Sequence, residues 1–171
     1  LPGIYTALDF IAAYKTAQPL PTGERVGVIG GGNTAIDAAV AARYLGAKRV
    51  AILYRRTEAQ MSAFAFEYEH AKQAGVEFIF SATPRRFLGS DHVTAIDCGT
   101  LEFACDTAIV AIGQSRFDVP GIGKIVVQRE TGQTANPKYF AGGDCVNGGR
   151  EVVDAAAEGK RAALGIVKWL T

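Results

Sequence analysis

An α/β fold is predicted by three observations. A short apolar strand, Arg25 to Ile29, breaks at Gly30-Gly31-Gly32 and passes at once into an alanine-rich helical pattern. A second apolar run follows at Arg49 to Tyr54, and the alternation of helix and strand then repeats. Beyond Pro84 the texture changes to short runs between glycine turns, the pattern of hairpins. Alternating strands and helices imply parallel pairing, and closely spaced short strands imply antiparallel pairing. The predicted architecture is therefore a Rossmann-like parallel sheet with an antiparallel β-meander. With 171 residues, 49% of them hydrophobic, the chain can bury a core of ordinary size.

Taken in order, Leu1 to Gly3 carry a Pro-Gly turn signal, and Leu8, Ile11 and Ala12 give Tyr5 to Tyr14 the spacing of a short amphipathic helix. Pro19, Pro21 and Gly23 mark a linker, so residues 1–24 read as helix and linker. After the first strand and the glycine turn, Asn33 to Leu45 form a helix packed through alanine, with Gly46 as its stop. Strand, helix and the strand Arg49 to Tyr54 make one βαβ unit of a doubly wound sheet with a right-handed crossover. Ala63 to Gln73 is a charged helix stopped by Gly75, and Val76 to Phe80 is a third strand. Arg86 to Leu88, Val93 to Asp97 and Leu101 to Phe103 form the meander, after which the apolar strand Thr107 to Ile112 returns to the sheet. Two further strands, Ile125 to Gln128 and Tyr139 to Ala141, precede a long helix from about Glu151 to Trp169. Its apolar face carries Val152, Val153, Ala156, Ala163, Ile166 and Val167.

Charge and cysteine usage narrow the function classes. A net charge of +1 without a basic block or acidic tail gives no reason to expect nucleic acid or a membrane surface as a partner. No uncharged run reaches the length of a membrane span, and no leader pattern opens the sequence. Cys98, Cys105 and Cys145 are odd in number and contain no Cys-x-x-Cys pair, which argues against a disulfide framework, a zinc site or a redox dithiol and fits a reducing cytoplasm. Cys145 reads as a small packing residue, and His70 and His92 have no partners at metal-ligand spacing. The first residue, Leu1, points to a piece of a longer chain.

The glycine turn has the form Gly30-x-Gly32-x-x-Ala35. In a dinucleotide fingerprint the first glycine allows the tight turn, the second lets the backbone approach a pyrophosphate, and a small third residue lets helix and strand pack closely. The helix N-terminus, through Asn33 and Thr34, then turns unpaired amides toward the phosphates. A purely structural turn is the competing reading, against which stand the strand before, the helix after and a second strand at the right distance. Where an Asp or Glu about 20 residues beyond the motif would hold a free ribose 2′-hydroxyl, this chain has Arg55 and Arg56. Guanidinium pairs with a phosphate that a carboxylate would repel, so NADPH is favoured, with NADH possible. The alternative is a solvated strand end. Near the C-terminus, Gly142-Gly143-Asp144 followed by a helix puts one carboxylate and one helix start on the same side of a strand, an arrangement able to bind a polyol and a polarised ring oxygen.

Ile29 to Asp37, Tyr54-Arg55-Arg56-Thr57, Ala111-Ile112-Gly113-Gln114 and Asn136 to Asp144 together resemble the glutamate synthase small (beta) subunits and the NADPH-to-flavin part of dihydropyrimidine dehydrogenases, over essentially the whole chain. That resemblance implies an NADPH-binding domain, residues 25–112, inserted into an FAD-binding domain whose C-terminal part is residues 113–171. It implies that Ala111, Ile112 and Gly113 line the return to the FAD domain. Gly143 and Asp144 would meet the FAD ribitol, and Val152 and Val153 would lie at the flavin ring. It further implies hydride transfer from NADPH to FAD and delivery of electrons to a partner subunit or domain with iron–sulfur or flavin centres. Glu67 matches a glutamate common in the family. No acid, base or nucleophile is implied, because the cofactors carry the chemistry and the protein positions them. The departure is that no second glycine fingerprint and no cluster-binding cysteines precede Arg25, so FAD is expected in the full-length protein and poorly, or not at all, in this stretch. A nonenzymatic NADPH-binding or partner-binding module and a disulfide-reductase-like flavoenzyme are the other classes the residues leave open.

Overall fold

The computed structural model describes residues 1–18, 20, 22–113, 119–120 and 122–171, which form two compact units, Leu1–Gly113 and Gln114–Thr171. Pro19 and Pro21 of the linker reading and Gln114 of the family resemblance lie outside the described residues.

The first unit is built on a five-stranded, wholly parallel sheet in the order β1-β8-β2-β3-β4. Its strands are β1 (Ile4–Thr6), β2 (Arg25–Ile29), β3 (Arg49–Tyr54), β4 (Val76–Phe80) and β8 (Thr107–Val110). Helices α1 (Ala7–Lys15), α2 (Asn33–Tyr44) and α3 (Ala65–Gln73) connect them. Between β4 and β8 the chain makes a separate antiparallel sheet of β5 (Arg86–Leu88), β6 (Ala95–Asp97) and β7 (Glu102–Ala104).

Side-chain alternation along the parallel strands separates two cores. Val26, Val28, Val50, Ile52 and Ile109 pack with Phe10 of α1 and the alanine face of α2, while Ala51, Leu53 and Ala108 pack with Val93, Ile96 and Phe103 of the meander region. Each such fully buried Val, Ile or Phe contributes about 1.5–3 kcal/mol. The expected doubly wound arrangement is thus corrected: among the described residues, helices cover one face and the meander the other. Gly27 makes that approach possible, since a Cβ there would fall 2.5 Å from Ile96 and 3.2 Å from Phe103.

At the N-terminus the structure departs from the predicted helix over Tyr5 to Tyr14. Ile4–Thr6 pair with β8, and the helix starts only at Ala7, with Thr6 Oγ1 accepting the Asp9 amide as its cap. Residues 1–24 therefore supply an edge strand as well as a helix and linker. In the meander, β6 begins at Ala95, two residues later than expected, and β7 is displaced by one residue to Glu102–Ala104.

Among the described residues the second unit contains one short helix, α4 (Asp144–Asn147), and one long one, α5 (Val152–Leu170). The strands expected at Ile125 to Gln128 and Tyr139 to Ala141 are absent among the described residues. Val127 pairs Thr134 and Gln133 pairs Phe140 only through isolated bridges, because the intervening turn folds these segments onto one another over single residues. The inward face of α5 is also narrower than its apolar pattern predicts. Ala162 and Gly165 are its buried residues, and a Cβ on Gly165 would lie 2.2 Å from the Thr131 carbonyl oxygen. Val152, Val153, Ile166 and Val167 are exposed within the described residues. No helix among the described residues is long and apolar enough to cross a membrane.

Candidate functional site

The chain leaves β2 toward β3 and β4 on one side and returns through β8 on the other, so strand order reverses between β2 and β8. In open parallel sheets such a switch leaves a crevice beyond the carboxyl ends of the strands. The candidate residues of the first unit all follow such ends. Gly30 to Ala35 follow β2, Arg55 and Arg56 follow β3, and Ala111 to Gly113 follow β8. Gly30 and Ala111 meet directly: a Cβ on Gly30 would lie 2.4 Å from the Ala111 carbonyl oxygen. Ala111 in turn donates its amide to the Ile29 carbonyl at 2.8 Å.

The three glycines have different reasons for being glycine. Gly30 adopts φ 153° and has no room for a side chain. Gly31 is buried, and a Cβ there would lie 2.3 Å from the ring of Tyr54. Gly32 has an ordinary extended backbone, φ −106° and ψ 177°, and the nearest atom to a Cβ would be Ser62 Oγ at 3.4 Å. Protein packing thus accounts for the first two and not for the third. Gly32 is also the N-cap of α2, a helix with no side-chain cap and no acidic residue in its first turn. Its unneutralised amide end favours an anion. Ala35 is fully buried, which lets α2 lie close on the sheet.

Around this turn the segment after β3 is fastened in place. The Tyr54 hydroxyl donates to the Gln60 carbonyl at 2.7 Å, Thr57 and Gln60 form a capping box over a 3-10 turn, and the Ser62 and Ala63 amides donate to the Gly31 carbonyl. Asn33 Oδ1 accepts the Phe64 amide at 2.9 Å, so this predicted site residue holds the loop. Thr34 is exposed on the first turn of α2, and Ile112 and Gly113 are exposed past β8. Arg55 and Arg56 are exposed, and among the described residues neither guanidinium is in an ion pair or a protein hydrogen bond. Sequence reasoning missed Tyr54 as a participant, although its place before the two arginines was visible.

Gly143, Asp144, Val152 and Val153 belong to the second unit. Gly143, at φ 76°, donates its amide to Glu158 Oε2 at 2.6 Å, and Asn147 Nδ2 donates to the same oxygen at 3.2 Å. These bonds hold the Glu158 carboxyl below the ordinary glutamate value, the Gly143 amide contributing most. Glu158 was not found from the sequence, where it reads as a solvated helix charge. The Asp144 carboxylate is exposed and, among the described residues, accepts only the Arg150 amide, at a long 3.5 Å. Its remaining lone pairs suit the hydroxyls of a polyol. Val152 and Val153, 85% and 68% exposed, stand on the first turn of α5, another helix without a side-chain cap.

The thiols are not assembled for redox exchange. Burial pushes the Cys98 thiol up and the Cys105 thiol to about 11, with neighbouring Asp97 and Asp106 adding to the effect. Cys145 is exposed, contrary to the packing role expected for it, because it sits on the single turn of α4 with its thiol donating to the Gly142 carbonyl. All three are free. The described residues hold no group of three or more metal-binding side chains.

A family model described as pyridine nucleotide-disulphide oxidoreductase matches residues 2–159. The glutamate synthase [NADPH] small chain of Escherichia coli K12 is 32% identical over an alignment that takes in 98% of this chain and 46% of that protein. The NAD-dependent dihydropyrimidine dehydrogenase subunit PreT of Escherichia coli O157:H7 is 34% identical, over 96% of this chain and 42% of that one. The chain thus spans less than half the length of these relatives. Among solved structures, T. acidophilum thioredoxin reductase superposes with a TM-score of 0.73 at 22% identity, over 95% of this chain and 56% of that one, a likeness of fold.

Proposed function

Because the chain belongs to the pyridine nucleotide-disulphide oxidoreductase family, we propose that residues 25–112 are the NADPH-binding domain of a flavin-dependent oxidoreductase subunit and residues 113–171 the C-terminal part of its FAD-binding domain. Members of that family use FAD and NAD(P)H. The observation that carries the reading is Gly32. Its missing side chain serves no contact within the protein, it caps a helix start free of negative charge, and it stands at the switch point of the sheet. A pyrophosphate is the ligand that such a bare, amide-rich turn accommodates.

In this reading Gly30 shapes the turn, while Gly32 and the amides of Asn33 and Thr34 hold the pyrophosphate. Arg55 and Arg56 take the 2′-phosphate, and Ala111, Ile112 and Gly113 flank the site from β8. In the second unit Asp144 would accept the ribityl hydroxyls of FAD, Gly143 would keep that turn open, and Val152 and Val153 would present an apolar edge to the flavin. When bound, the nicotinamide supplies a hydride and the flavin accepts it. The protein's part is binding, orientation and exclusion of water. The proposed electron acceptor is a partner subunit or domain with iron–sulfur or flavin centres, a reading supported by relatives that are named as a small chain and a subunit. A cytoplasmic setting belongs to the same proposal and is supported by the three free thiols.

The test is a pair of titrations, NADPH and NADH, on the wild type and on an Arg55→Ala/Arg56→Ala variant. Charge-assisted bonds contribute about 1.5–3 kcal/mol, so NADPH affinity should fall about tenfold or more while NADH affinity barely moves. Equal losses for the two nucleotides would remove the phosphate assignment, and a wild type that binds neither would remove the whole reading.

A further inference from the structure

We infer that Tyr54 is a positioning residue that sets the 2′-phosphate-reading arginines in register with the glycine turn, an inference that rests on the nucleotide reading above. Tyr54 is the last residue of β3 and half-buried, and its side chain makes two different contacts. The ring lies over Gly31, in the space a Cβ there would take, while the hydroxyl reaches across to donate to the Gln60 carbonyl at 2.7 Å. Arg55, Arg56 and Thr57 lie between these two points of attachment.

The remaining fastenings complete a closed strap from Tyr54 to Phe64. Gln60 Oε1 accepts from the Thr57 amide at 3.3 Å and from the Thr57 hydroxyl at 3.2 Å. Beyond it, Ser62 and Ala63 donate to the Gly31 carbonyl at 3.1 and 3.2 Å, and Phe64 donates to Asn33 Oδ1 at 2.9 Å. Both ends of the strap are therefore tied to the residues that form the turn, and the Tyr54 hydroxyl is the bond from the strand to its middle. Two exposed arginines on an unrestrained loop would lose much conformational freedom on meeting a phosphate. On a strap ordered in advance, less of that cost remains at binding.

The division of labour within one side chain makes the inference testable. Tyr54→Phe keeps the ring over Gly31, and so the pyrophosphate turn, and removes only the bond to Gln60. NADPH, NADH and 2′,5′-ADP, which carries only the phosphate-reading half of the dinucleotide, are titrated against the full chain and this variant, and the melting temperature is recorded for each. Loss of one hydrogen bond should weaken NADPH and 2′,5′-ADP by about two- to tenfold and leave NADH nearly unchanged. In the Arg55→Ala/Arg56→Ala background the effect of Tyr54→Phe on NADPH should vanish, since the hydroxyl acts through those arginines. Three results would overturn the inference while the wild type still prefers NADPH: equal losses for NADPH and NADH, no loss for 2′,5′-ADP, or persistence of the loss without the arginines. A wild type that binds no nicotinamide nucleotide would instead overturn the nucleotide reading on which it rests.

Discussion

At the residue scale the glycine turn separates structure from binding. Gly30 and Gly31 are fixed by the fold, through the Ala111 carbonyl and the Tyr54 ring, whereas Gly32 is free of both constraints. Gly31→Ala should therefore destabilise the chain by about 1–3 kcal/mol, the range for overpacking, and Gly30→Ala by a similar amount or more because its φ adds strain. Gly32→Ala should behave differently. Its backbone suits any residue, so the loss is limited to about 1 kcal/mol of weaker helix capping. NADPH affinity should nevertheless collapse, because the new methyl occupies the approach to the α2 amides. Thermal denaturation alongside NADPH titration of the three variants checks this. A Gly32→Ala protein that binds NADPH like the wild type would show that nothing approaches that backbone.

At the scale of elements, the α4 turn depends on a carboxylate from α5. Glu158 accepts both the Gly143 amide and the Asn147 side chain, and its carboxyl is held below the ordinary value of 4.5. A group with a depressed folded pKa stabilises above its unfolded value and loses that contribution as pH falls through the folded one. Wild type should thus be more stable than Glu158→Gln at neutral pH, with the gap closing as pH drops below the ordinary glutamate value. Melting curves at several pH values test it, and a gap that widens in acid would contradict it. The same bond explains a limit of sequence reading. β2, β3 and β8 were legible because buried parallel strands are mostly apolar runs whatever surrounds them, and the edge strand β4 from its Phe78-Ile79-Phe80 run after the Gly75 stop. β1 was not, since three residues running straight into a helix show no periodicity. Glu158 to Gly143 and Asn33 to Phe64 join residues 15 and 31 positions apart, and no local pattern announces such pairs. The apolar runs near Val127 and Phe140 misled for the complementary reason: apolarity marks a segment able to pair, whereas pairing needs a partner alongside it over several residues.

At the scale of the whole molecule, the parallel sheet gathers the candidate residues by topology. Residues remote in sequence, such as Gly30, Arg55 and Ala111, share the carboxyl edge because every strand of that sheet runs the same way. The glycine turn read from the sequence follows β2 at this edge, and the pairing of β8 beside β2 adds the switch point that the sequence order alone leaves open. Gly143, Asp144, Val152 and Val153 belong to the other compact unit, and none of them has a part in the proposed pyrophosphate and 2′-phosphate sites. The proposal therefore makes a separable prediction. Asp144→Ala, a change at an exposed side chain, should leave stability within about 0.5 kcal/mol, and NADPH affinity within about twofold of wild type. Titration of NADPH against this variant and against Arg55→Ala/Arg56→Ala gives the comparison. If Asp144→Ala weakened NADPH as much as loss of the arginines, Asp144 would belong to the nicotinamide nucleotide's own site, and its assignment to the ribityl chain of FAD would have to be withdrawn.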